Sequence, residues 1–136
     1  MRRITVAIGV VQREGKILIC QRHNDNLLGG FWEFPGGKCE EGEGIEECLR
    51  RELIEEVGIG VCVIRPLTAI AHDYSHGRVT LHPFLCRHVE GEAMALQCQQ
   101  IKWVNAGELG SFRFPPANES LLAEIIEIIG DDDRLP

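Results

Sequence analysis

From Ile4 to Val11 the chain is rich in β-branched residues and alternates loosely in polarity, and a second apolar run, Ile17 to Cys20, follows Arg13-Glu14-Gly15-Lys16. Two such runs around a short polar turn predict a β-hairpin. Phe31 to Phe34 predicts a short strand entering a turn at Pro35-Gly36-Gly37. Apolar residues then recur at Ile45, Leu49, Leu53 and Val57, a spacing of four that predicts a helix halted by Gly58. Val61 to Ala71 and Val79 to Val89 read as longer strands, with Pro66 and Pro83 marking bulges or edge positions, and Gln100 to Val104 as one more. Leu121 to Ile129 is apolar on most faces and predicts a closing helix that begins near 117–119. The expectation is one mixed-sheet domain over residues 1–130 with at least two helices packed on it, then a disordered acidic tail at 131–136.

A chain of 136 residues can bury a core as one domain without a staple or an obligatory partner. Its 44% hydrophobic and 26% charged residues are ordinary for a globular protein, and no apolar run approaches the roughly 20 residues of a membrane span. The N-terminus runs directly into the first strand without the apolar segment and cleavage site of a secretory signal, so a cytoplasmic location is expected. Six cysteines, Cys20, Cys39, Cys48, Cys62, Cys86 and Cys98, include no Cys-x-x-Cys pair, which predicts free thiols and no zinc site. His72, His76 and His82 have no supporting cysteine spacing either, and read as half-exposed polar positions. Trp32 and Trp103 read as core. The net charge of −7 argues against a nucleic-acid polymer as partner. It leaves room for a small anionic ligand bridged to acidic groups by metal ions.

Glu52, Glu55 and Glu56 stand at i, i+3 and i+4, which puts three like charges on one helical face. Glu55 and Glu56 also occupy the last turn, where the helix dipole disfavours each carboxylate by roughly 0.3 to 1 kcal/mol. A solvated face stitched by Glu46–Arg50 and Glu47–Arg51 pairs and a site for a hard divalent cation are, from the helix alone, about equally good readings. The preceding Pro35-Gly36-Gly37-Lys38 shifts the balance. Its glycines allow close backbone approach, and Lys38 adds a compact positive charge, a combination suited to a phosphate and metal site.

The residues Gly37, five positions, Glu43, seven positions, then Arg51-Glu52-Leu53-Ile54-Glu55-Glu56-Val57-Gly58-Ile59 resemble a complete Nudix box. The flanking pattern extends the likeness over nearly the whole chain. The resemblance implies an α/β fold, the Nudix α/β/α sandwich with a mixed β-sheet between helices. It implies that Mg2+, or Mn2+ in its place, is held by Glu52, Glu55, Glu56 and the Gly37 carbonyl. Glu52 is then first in line to help deprotonate the attacking water, Arg51 pairs with Glu43 to fix the loop on the helix, and Lys38 contacts substrate phosphates. Metal ions can position water, neutralise phosphate oxygens and stabilise the leaving group, so no nucleophilic side chain is needed.

Beyond the box, Phe114-Pro115-Pro116-Ala117-Asn118-Glu119 is similar to the MutT branch of the family. That likeness implies conversion of 8-oxo-dGTP to 8-oxo-dGMP and pyrophosphate, the sanitation of the nucleotide pool that avoids mutation. Asn118 matches the branch's base-reading asparagine; on its residue type alone it would be read as a cap of the last helix. Arg22 and Phe34 match positions lining the nucleotide pocket, and Arg78 one flanking the base. Where the branch carries a further glutamate before the strand leading to Trp103, this chain has Gln97, which can coordinate but cannot act as a base. The alternatives are a pyrimidine, CTP-type specificity, suggested by Gly77-Arg78-Val79-Thr80-Leu81-His82, and a non-catalytic domain that binds an oxidised base. The expected partner is a small nucleotide, without a membrane, in a monomer or homodimer.

Overall fold

In the computed structural model, which describes residues 2–24 and 29–133, the first β-branched run forms β1 (Arg3–Arg13) and returns as β2 (Lys16–Gln21). The two residues between them, Glu14 and Gly15, both have positive φ, 51° and 79°, the geometry that lets a two-residue hairpin turn follow the twist of its strands. The other strands are β3 (Trp32–Glu33), β4 (Gly36–Lys38), β5 (Gly60–Pro66), β6 (Ile70–Tyr74), β7 (Gly77–Glu90) and β8 (Gln100–Asn105). β1 and β7 run parallel, from Arg3 opposite Arg78 to Gln12 opposite Arg87, and every other pairing is antiparallel. The sheet is therefore mixed.

Helix α1 (Ile45–Val57) covers one face and α2 (Glu119–Asp133) the other. Because side chains alternate along a strand, β1 feeds both cores at once. Ala7 and Val11 join Leu18 against Leu49, Leu53 and Val57 of α1. Ile8 and Val10 join Ile17 and Ile19 against Leu121, Ile125 and Ile129 of α2. This is the α/β/α sandwich that the resemblance implied.

Several elements depart from the sequence expectations for identifiable reasons. Pro35-Gly36-Gly37 was expected as a turn, but Gly36 and Gly37 extend as β4 against Ile8 and Ala7 of β1. Their lack of side chains serves proximity: a Cβ at Gly36 would overlap the Ala7 carbonyl, and one at Gly37 the Glu52 carboxylate. The expected strand Val61 to Ala71 is two strands, β5 and β6, which share one edge of β7. Pro83 lies at their junction. Its carbonyl accepts the Leu67 N–H at 2.8 Å, so its nitrogen, which has no hydrogen, faces the same gap and no ladder bond is lost. Trp32 is core, whereas Trp103 is half-buried beneath Arg13, whose guanidinium lies 5.0 Å from its ring centroid. Helix α2 runs past Gly130 to Asp133, where the tail was expected to have begun; residues 134–136 of that tail lie outside the described residues. Cys39 and Cys48, expected as free thiols, form a disulfide.

Helix α1 ends at Gly58, whose φ of 74° is left-handed and whose N–H reaches the Leu53 and Ile54 carbonyls at 3.0 Å. The segment after β7 completes the cap. Met94 donates to the Val57 carbonyl at 3.0 Å, and Leu96 and Gln97 donate to that of Glu56 at 3.1 and 3.3 Å. Gly58→Ala is expected to destabilise the protein by about 1 kcal/mol, because a Cβ disfavours this backbone region. A lowered urea midpoint with an unchanged m-value is the signature.

Candidate active site

The cation at the centre of the carboxylate helix is Arg51. Its Nε and Nη2 grip both oxygens of Glu43, at 2.7 and 2.9 Å, while Nη1 reaches Glu52 at 2.9 Å and Glu55 at 3.1 Å. Nη2 also donates to the Lys38 carbonyl at 3.2 Å. These bonds pin the 38–44 loop to α1. Glu43 responds most: its hydrogen bonds from Arg51 first, then from the Glu40 N–H, hold its pKa down to about 2. Of the two helix pairs read from the sequence, Glu46–Arg50 is present at 3.7 Å. Glu47 instead accepts the Gly44 N–H at 3.2 Å and caps the helix start, since Arg51 is engaged by its other partners.

Glu56 lies apart from this fork. Its carboxylate accepts the Gly36 N–H at 3.3 Å, yet burial, and after it the nearby charge of Glu33, push its pKa up to about 8. Glu52 packs directly against the Cα of Gly37. Carboxylates crowded onto a backbone cradle, one of them driven towards its protonated form, make an oxygen donor set that a hard divalent cation would satisfy. The residues fit the metal that the box implies; Gly37, Glu52, Glu55 and Glu56 would hold it.

A cavity of about 320 Å³ opens beside this cradle. Arg22, Phe34, Lys38 and Asn118 line it together with Gly37 and Glu56. Val6, Ile8 and Leu81 supply an apolar wall, and Phe34 stacks on Phe114 with ring centroids 5.2 Å apart. Asn118 is 7% exposed and is the buried polar residue among the described core positions. Its backbone N–H bonds the Pro115 carbonyl at 2.9 Å. α2 begins at the next residue.

Arg78 is not brought to this cavity. Across the β6–β7 hairpin it faces Asp73, and its guanidinium forks onto that carboxylate at 2.7 and 3.1 Å on the exposed surface. His72 and His76 flank the ring of Tyr74, and His82 lines a separate cavity, so the three histidines form no common cluster. Gln97 is exposed beside the end of α1, tied to it by its backbone.

Glu33 belongs to the site although no motif singled it out. It lines the cavity, is bonded to Arg22 at 2.9 Å, and has its pKa raised by burial against the opposing pull of Arg22. The available signal was alternation. Trp32 and Phe34 both point to the α2 core, so Glu33 between them points to the α1 side, where Glu56 is.

Among the described residues no helix is long and apolar enough to cross a membrane. A family model described as a NUDIX domain matches residues 6–124. The 8-oxo-dGTP diphosphatase of Escherichia coli is 33% identical over 126 residues, covering 92% of this chain and 98% of the relative. The CTP pyrophosphohydrolase of the same organism is 33% identical over 122 residues, 90% of each. Among solved structures, the E. coli ORF135 protein superposes with a TM-score of 0.85 at 31% identity, covering 94% of this chain and 91% of its own. A box complete from Gly37 to Ile59, a sandwich that brings Glu52 against Gly37 and Glu56 onto Gly36, and relatives matched along almost their full length lead to one conclusion: the chain belongs to the Nudix family and is a hydrolase of phosphoric anhydrides.

Proposed function

We propose that the protein is a Mg2+-dependent nucleoside triphosphate pyrophosphohydrolase that converts 8-oxo-dGTP to 8-oxo-dGMP and pyrophosphate. The observation that carries this reading is Asn118, a buried polar residue that lines the same cavity as Gly37 and Glu56. Guanine offers two acceptors, O6 and N7, on its Hoogsteen edge, whereas oxidation at C8 puts a hydrogen on N7. A carboxamide presents a donor and an acceptor side by side and matches the oxidised edge alone. The apolar wall and Phe34 enclose the purine, and Lys38 with Arg22, itself oriented by Glu33, meets the phosphates.

Gly37, Glu52, Glu55 and Glu56 would hold the metal, which when bound neutralises phosphate oxygens and acidifies water. The Glu52 carboxylate helps to take the proton from the attacking water, because Gln97 cannot. Arg51 keeps the loop and helix in register, and Glu33 adds negative charge beside Glu56.

A nucleotide panel with product identification tests the reading: rapid release of pyrophosphate from 8-oxo-dGTP is expected, and turnover of CTP with none of 8-oxo-dGTP would overturn it. The CTP pyrophosphohydrolase relative makes that the rival worth including. Binding without any hydrolysis would point instead to an oxidised-base reader.

Asn118→Ala should lower kcat/KM for 8-oxo-dGTP by about 10- to 100-fold, the cost of roughly 1–3 kcal/mol for hydrogen bonds lost in a buried site. It should leave the slow turnover of dGTP nearly unchanged, so steady-state selectivity collapses.

Glu56 dictates a pH dependence. Its raised pKa favours the folded state while the carboxyl is protonated, so this contribution is complete below about pH 4.5 and fades as pH rises through about 8. A cation displaces that proton. The melting temperature of metal-free protein is therefore expected to fall between pH 5 and 8.5, with the gain from added Mg2+ growing over the same range. Glu56→Gln should flatten both trends and cost at least about 100-fold in kcat.

A further inference from the structure

The Cys39–Cys48 disulfide joins the two halves of the metal cradle, yet hydrolysis uses neither sulfur. Cys39 follows Gly37 by two residues at the end of β4, and Cys48 stands one turn before Glu52 on α1. Cys48 Sγ also lies 3.8 Å from the Gly37 carbonyl oxygen. The bond thus ties the strand carrying one proposed ligand to the turn carrying another. A Cα separation of 5.3 Å allows it without displacing either element. Access is unequal. Cys48 is fully buried, whereas Cys39 is half-buried and lines a cavity of about 560 Å³ beside Arg3, Lys38 and His82.

We infer that Cys39 and Cys48 form a redox modification site whose state sets the affinity of the adjacent carboxylates for their divalent cation. The inference rests on the metal site proposed above. The co-reactant is a low-molecular-weight disulfide of the glutathione class. The Cys39 thiolate attacks one of its sulfurs and expels a thiolate; Cys48 then attacks Cys39 Sγ and expels the second. Two protein thiols are oxidised, one small disulfide is reduced to two thiols, and the two protein protons pass to solvent or to the departing thiolates. Cys39 is the entry point because Cys48 is sealed.

In the oxidised protein, Gly37 and Glu52 are held in register before any cation arrives. In the reduced protein they are held without a covalent tie, by the bonds of Arg51 to Glu43 and Lys38, the Gly36–Glu56 bond and the strand pairing of β4, so cation binding must also order the loop. Affinity is then lower in the reduced state.

The test is Mn2+ binding by electron paramagnetic resonance on full-length protein treated with oxidised glutathione, and on protein reduced and desalted. Alkylation and mass spectrometry establish the state of Cys39 and Cys48 in each sample. The dissociation constant is expected to be about three- to tenfold higher in the reduced protein. A Cys39→Ser, Cys48→Ser variant should show the reduced value under both treatments, and the untreated comparison of wild-type states needs no variant to fold. Equal Mn2+ affinity in the two states, or failure of glutathione disulfide to link Cys39 to Cys48, would overturn the inference. Absence of Mn2+ binding in both states would overturn the metal site itself.

Discussion

The constraint on which the site depends is like-charge repulsion confined to two turns of one helix. Glu52, Glu55 and Glu56 would each be more comfortable apart, and Arg51 offsets only part of their mutual cost. Its fork is committed to Glu43, which makes it chiefly a clamp between loop and helix. Glu56 is left outside that compensation, half-buried near Glu33, and burial first and that neighbouring charge second push it towards its protonated form. A divalent cation removes the imbalance in one step.

The sheet explains why this helix can meet a nucleotide. β1 sends alternate residues to opposite cores, and β4 pairs with it where that alternation matters most. Gly37 shares the α1 side with Ala7 and receives the Glu52 carboxylate; Lys38 shares the other side with Val6 and lines the cavity. One short strand therefore links the carboxylates on one face with Phe34 and Asn118 on the other. Glu56 opens onto the same cavity as Phe34 and Asn118, so chemistry and recognition share one chamber beside β4.

Much of this could be read from residue order. The four-residue spacing from Ile45 to Val57 fixed α1 to its observed bounds, because a helix against a sheet must present one apolar stripe. The carboxylates were visible for the opposite reason, as charges where local rules disfavour them. What escaped depends on contacts distant in sequence. Glycine's usual meaning as a turn residue hid β4, whose glycines are needed for close approach to Ala7 and Glu52. Arg78 was placed at the base by resemblance, but Asp73 across the hairpin takes its guanidinium. The division of Val61 to Ala71 into two strands follows from Pro83 facing their junction, which neither proline announces alone. A nine-residue separation between Cys39 and Cys48 carries no signature of pairing, since it is the strand and helix that bring them together.

The central claim is that the repulsion between these carboxylates exists to be relieved by a bound divalent cation at Gly37. Anomalous diffraction at the manganese edge, from crystals grown with Mn2+, tests it most directly. The account predicts a peak in contact with the Gly37 carbonyl oxygen and the Glu52 and Glu56 carboxylates, with the Arg51 fork still on Glu43. A peak elsewhere, with these carboxylates empty at saturating Mn2+, would contradict it.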